Sequence, residues 1–192
     1  LESRLCLATR QLRKVVTRSP PALGLSVEKN LGPTLAFLET RLDLDDDALR
    51  KLVVSPPNVL MYSVRDNLGP KLDFLEGWLD GDDRGGTPRS TLARVVTKLP
   101  QALGLSVENN LKPKLAFFED AMGPREARTF VADFPAALSR SLDRRLLPRA
   151  NRLTAAGVHL DKTTMAYVCV KTDAAFLDYL HLAQVSSSPV PV

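Results

Sequence analysis

Long hydrophobic runs are missing from this sequence. No stretch of about eighteen consecutive apolar residues occurs, so nothing in it reads as a membrane-spanning helix. Aromatic residues are scarce, at 6% against 44% hydrophobic residues in all. The apolar content is mostly leucine, valine and alanine, which suits helices sharing small cores with their neighbours. Cysteine is limited to Cys6 and Cys169, which stand in no C-x-x-C spacing. Both read as buried thiols of a reducing compartment, not as metal ligands. His159 and His181 have no partners at ligand spacing. The acidic run from Asp43 to Asp47 lacks the spacing of a calcium loop and reads as the cap of a helix running from Asp46 to Val53. There is no glycine-rich phosphate cradle and no pairing of nucleophile and base. These absences argue against an enzyme, a metal site or a cofactor. The sequence opens at Leu1 and not at methionine, so it reads as a fragment or a mature form, and a missing leader says little.

What is present is a repeat. Residues 19–38 read SPPALGLSVEKNLGPTLAFL, residues 56–75 PPNVLMYSVRDNLGPKLDFL, residues 99–118 LPQALGLSVENNLKPKLAFF, and residues 134–153 FPAALSRSLDRRLLPRANRL. Ser26, Ser63, Ser106 and Ser141 are equivalent, at offsets of 37, 43 and 35 residues. Pro20, Pro57, Pro100 and Pro135 each follow a short apolar segment, and a proline there ends a helix. Leu23, Leu60, Leu103 and Leu138 are expected to anchor the turn that follows. The serines then cap a second helix. Pro33, Pro70, Pro113 and Pro148 fall seven residues later. We therefore expect a short first turn, Val27 to Gly32 in the first copy, with the main helix continuing from the proline.

Each copy is thus helix, proline turn, helix. One copy cannot bury its own apolar stripe, so neighbours must stack. The expected fold is all-α, a solenoid of two-helix repeats, with about four full units and a decayed C-terminal pair. We place it in one domain over residues 1–183, with units at roughly 5–42, 43–80, 90–122, 123–157 and 158–183. Residues 1–14 supply most of the first helix. Thr163 and Thr164 are expected to cap the last pair, whose final stripe is Phe176, Leu177 and Leu180. Residues 81–90 read as an inserted loop and residues 184–192 as a disordered tail.

The pattern Leu103, Ser106, Glu108, Asn110, Leu111, Pro113, Lys114, Leu115, Phe117, Phe118 resembles the repeats of the mitochondrial transcription termination factor (mTERF) family. The first two copies match nearly as well. The fourth departs, with Arg145 for the asparagine and Arg152 for the first phenylalanine. The resemblance covers about residues 12–160. It implies a curved α-solenoid that binds double-stranded DNA or RNA along a basic path in mitochondria or chloroplasts. It also implies roles in organellar transcription, ribosome assembly or splicing, in some members with a protein partner.

The charges fall in columns. The first helices carry Lys14, Lys51 and Arg94 at one position and Arg13, Arg50 and Arg128 at the position before it. The residue after the late proline is Thr34, Lys71, Lys114 or Arg149, and an acidic column holds Glu39, Glu76 and Glu119. Such columns are either solvated faces or, where basic, a ladder that tracks phosphates. Residues 124–171 hold nine basic residues against four acidic, whereas residues 1–123 are nearly balanced, at seventeen and sixteen. In the fourth copy Arg140, Arg144, Arg145, Arg149 and Arg152 face only Asp143. Arg145, Arg149 and Arg152 share one helical stripe, and arginine suits bidentate phosphate contacts. The candidate nucleic-acid contacts are therefore Arg140, Arg144, Arg145, Arg149, Arg152, Lys114, Lys71, Arg94, Lys51 and Lys14. The leading reading is a monomeric, double-stranded-DNA-binding regulator of organellar transcription or its termination. The alternative is an organellar RNA-binding protein or protein-interaction scaffold in ribosome biogenesis or intron splicing; the charge balance of residues 1–123 favours the scaffold.

Overall fold

A computed structural model describes residues 7–55, 57–80 and 88–187. Among the described residues there are ten α-helices and no strands. They fall into two compact units that divide between Val107 and Glu108. The first unit holds α1 (Thr9–Arg18), α2 (Gly32–Leu42), α3 (Asp46–Val54), α4 (Gly69–Leu79) and α5 (Pro88–Lys98). The second holds α6 (Lys112–Met122), α7 (Pro124–Asp133), α8 (Leu147–Ala155), α9 (Lys162–Cys169) and α10 (Asp173–Ser187). Within the first unit α1 packs on α3 and α3 on α5, while α2 packs on α3 and α5, and α4 on α5. Within the second unit α6 packs on α7, and α9 packs on α7, α8 and α10.

The repeated prolines and serines set the local geometry. The 3₁₀ turns Pro20–Gly24, Pro57–Met61, Pro100–Gly104 and Pro135–Ser139 start at the early prolines. A fixed φ and a missing N–H make proline a natural opening residue for such a turn. Next, the Ser26, Ser63 and Ser141 hydroxyls accept from the amides of Lys29, Asp66 and Arg144 at 3.1, 3.1 and 3.2 Å. The turns that follow, Val27–Leu31, Val64–Leu68, Val107–Leu111 and Leu142–Leu146, are π-helical. The Leu31, Leu68 and Leu146 amides reach back five residues to the carbonyls of these serines, at 3.1, 2.9 and 3.1 Å. An α-turn would drive each late proline ring into the carbonyl four residues back. The wider π turn admits the ring, and the rod runs on into an α-helix without a break. Replacing Ser63 by alanine removes one cap and should cost about 1 kcal/mol in urea unfolding. A loss below a few tenths would show that the cap is idle.

The core is the leucine stripe. Leu31, Leu35 and Leu38, Leu68, Leu72 and Leu75, and Leu111, Leu115 and Phe118 are all buried. Asp45 caps α3 through the Ala48 amide, as the acidic run suggested. Cys169 is buried and burial pushes its thiol up to about 12, so it stays protonated at neutral pH; Cys6 lies outside the described residues.

Several local expectations need correction. Leu60, Leu103 and Leu138 are buried, but Leu23 is 70% exposed. The three buried leucines sit in turns that pack on the preceding pair, and no pair precedes Leu23 among the described residues. The cap of α9 is Asp161, which accepts from the Thr164 amide at 2.8 Å while Thr164 Oγ1 accepts from the Asp161 amide. Pro88, Arg89 and Ser90 belong to α5 and not to the expected loop, whose residues 81–87 lie outside the described ones. Residues 184–187 continue α10 instead of opening the tail, and residues 188–192 are not described. Phe176 and Leu180 are buried as expected, whereas Leu177 is exposed.

Candidate nucleic-acid interface

The ten expected contacts divide by location. Lys14, Lys51 and Arg94 are exposed. They occupy one repeat position on α1, α3 and α5, helices that pack side by side in the first unit. Two of these helices lack acids altogether. α1 carries Arg10, Arg13, Lys14 and Arg18, and α5 carries Arg89, Arg94 and Lys98. In α3 the acids Asp46 and Asp47 sit in the first turn, where they favour the positive helix end. Its basic residues Arg50 and Lys51 lie further on, with Arg50 on Asp47 at 2.6 Å. Arg10, Arg13 and Arg18 were not among the expected contacts. The absence of any acid between Thr9 and Arg18 is the signal that could have found them.

Lys71, Lys114 and Arg149 lie elsewhere. They are only 5%, 4% and 6% exposed, which removes them from the surface where a phosphate would be met. Lys71 Nζ donates to Asn67 Oδ1 at 3.0 Å and to the Leu103 carbonyl at 2.5 Å. Lys114 Nζ donates to Asn110 Oδ1 and to the Leu138 carbonyl, both at 2.7 Å. Burial pushes both ammonium groups below the ordinary lysine range. Each lysine thus ties its own second helix to the 3₁₀ turn of the next pair. These charges hold the stack together; they do not form a ladder on its surface.

The arginine stripe of the fourth copy meets the next pair in the same way. Arg149 donates to the Tyr167 and Lys171 carbonyls at 2.8 and 2.9 Å and to the Asp173 carboxylate. Its guanidinium lies 4.6 Å from the Phe176 ring centre. Arg145, half-buried, donates to the Lys171 carbonyl at 2.6 Å. Burial, then the like charges of Arg149 and Arg140, lowers its pKa. Together Arg145 and Arg149 satisfy carbonyls at the C-terminal end of α9, where cations are favoured. Arg152 is exposed, with its guanidinium 5.4 Å from Phe176, and Arg144 is exposed. Arg140 is half-buried, and the Nε–H groups of Arg140 and Arg145 are buried without a hydrogen-bond partner among the described residues.

The acidic column also pairs with neighbours. Arg41 reaches from α2 to Glu76 at 2.5 Å and to Asp73 at 2.8 Å on α4, and both carboxylates raise its pKa. Among the described residues no group of three His, Cys, Asp or Glu side chains is placed to hold a metal ion. No described helix is long and apolar enough to cross a membrane.

Helix pairs punctuated by proline, serine and proline, joined by buried cations, define a helical-repeat protein. The family model described as mTERF matches residues 2–177, and the chain belongs to that family. This is a family of helical-repeat, nucleic-acid-binding factors of organellar gene regulation. No curated protein matches the chain.

Proposed function

We propose that this protein binds double-stranded DNA through the basic row of its first helices and regulates transcription, or its termination, in a mitochondrion or chloroplast. The observation that supports this reading is the recurrence of Lys14, Lys51 and Arg94 at one exposed repeat position on three adjacent helices, two of them free of acids. A spaced row of cations suits a polyanion with regular phosphates, and each contact gains from counterion release. Arg10 and Arg13 extend the row on α1. Arg144 and Arg152 are the exposed contacts of the second unit. We leave out Lys71, Lys114 and Arg149, which are buried with their donors on Asn67, Asn110, Asp173 and neighbouring carbonyls.

The test is binding to duplex DNA, duplex RNA and the corresponding single strands, each titrated with salt. Duplex DNA should bind most tightly, with log K falling linearly in log salt. Preference for duplex RNA would move the function to RNA metabolism. Salt-independent or absent binding to every nucleic acid would overturn the reading in favour of a protein scaffold.

A further inference from the structure

Three successive joints between helix pairs can be compared position by position. In the second and third, a lysine just after the late proline runs into the joint. Its ammonium meets an asparagine four residues earlier and the carbonyl of a buried leucine in the next turn. These are Lys71 with Asn67 and Leu103, and Lys114 with Asn110 and Leu138. In the first joint the counterparts are Thr34, Asn30 and Leu60. Both acceptors are retained, and the side chain that would reach them is shorter by most of a lysine stem. A cavity of about 310 Å³ opens at that place, lined by Asn30, Thr34 and Leu60 among others.

We propose that this cavity binds an alkylammonium group, the end of an aliphatic diamine or polyamine. The molecule's own second and third joints show the chemistry that fits, an ammonium carried on four methylenes. Leu60, which lines the cavity, is the repeat counterpart of Leu103 and Leu138, whose carbonyls each accept from an ammonium. The Thr34 hydroxyl adds an acceptor where the other joints have stem. Leu25, Pro33 and Val64 supply apolar wall for the methylenes, the arrangement in which a long cationic side chain buries its stem and satisfies its head. The volume is at the low end for ligand pockets and admits a small amine. Lys29 also lines the cavity, so a second charge on the ligand must point away from it. This inference does not depend on the nucleic-acid reading.

The same chemistry is presented by a free amine and by a lysine of a partner protein, and the probes separate the two. Butylammonium and 1,4-diaminobutane should raise the Tm of the native chain in a saturable way and shift the Asn30 side-chain amide resonances. Tetramethylammonium at equal ionic strength should do neither, since it has no N–H to donate. Thr34→Lys should raise Tm without added amine and weaken amine binding at least about tenfold. Lys29→Ser should tighten it. N-acetyl-lysine amide should bind more weakly than butylammonium; tighter binding would overturn the free-amine source. Equal responses of the native chain and Thr34→Lys, an equal effect of tetramethylammonium, or no shift at the Asn30 amide would overturn the site.

Discussion

Arg149→Ala should lower the unfolding free energy by about 3 kcal/mol, from carbonyls left without their donor and from lost packing. The Arg149 guanidinium is buried and gathers the Tyr167 and Lys171 carbonyls, the Asp173 carboxylate and the face of Phe176. The ion pair itself contributes little, because Asp173 is 84% exposed and water screens it. The cost comes from the carbonyls at the end of α9, which lose a charged donor in a place water reaches poorly, and from the cavity left beside Phe176. Arg149→Lys should recover only part of the loss, since one ammonium cannot span the guanidinium's partners. Arg152→Ala, three residues on and exposed, should stay within about 0.5 kcal/mol. Urea unfolding followed by circular dichroism distinguishes these outcomes. A loss below about 1 kcal/mol for Arg149→Ala would show that the α8 stripe does not hold the last pair.

The second large effect concerns binding and should leave stability alone. The combined change Lys14→Glu, Lys51→Glu and Arg94→Glu should weaken duplex DNA binding roughly 100-fold near 0.1 M salt, because three phosphate contacts and their counterion release are lost. The three side chains are exposed, so the Tm should move by no more than a few degrees. Fluorescence anisotropy with a labelled duplex reads the affinity, and a thermal scan of the same sample reads the fold. Full affinity in the variant would remove the row from the interface. A collapsed Tm would place these residues in the structure and not at a partner.

The fold was legible because its signals are backbone signals. Proline cannot donate, serine caps, and leucines at helical spacing must find cover. Those constraints act within a few residues and recur in each copy, so the stacked pairs could be read directly. The sorting of the cations is set by which way a helix faces its neighbour, and charge alone does not record that. Lys71 and Lys114 look in sequence like Lys51, yet two are interior and one is exposed. Their position did carry a clue. Each stands immediately before a buried leucine and four residues after an asparagine, while the first copy fills the same position with a buried threonine. The arginine stripe misled for the same reason. The arginines of the fourth copy looked like a surface, whereas Arg145 and Arg149, at the positions held elsewhere by asparagine and by threonine or lysine, make carbonyl contacts to the last pair. The serine-rich end read as tail, but α10 carries it to Ser187.

The most direct measurement is the slope of log K against log salt for duplex DNA, taken for the native chain and for Lys14→Gln, Lys51→Gln, Arg94→Gln together. Neutral replacement deletes contacts without adding repulsion. The slope should become shallower by about 0.9 for each contact removed, nearly three in all. Parallel lines would contradict the assignment of this exposed row as the phosphate-binding surface.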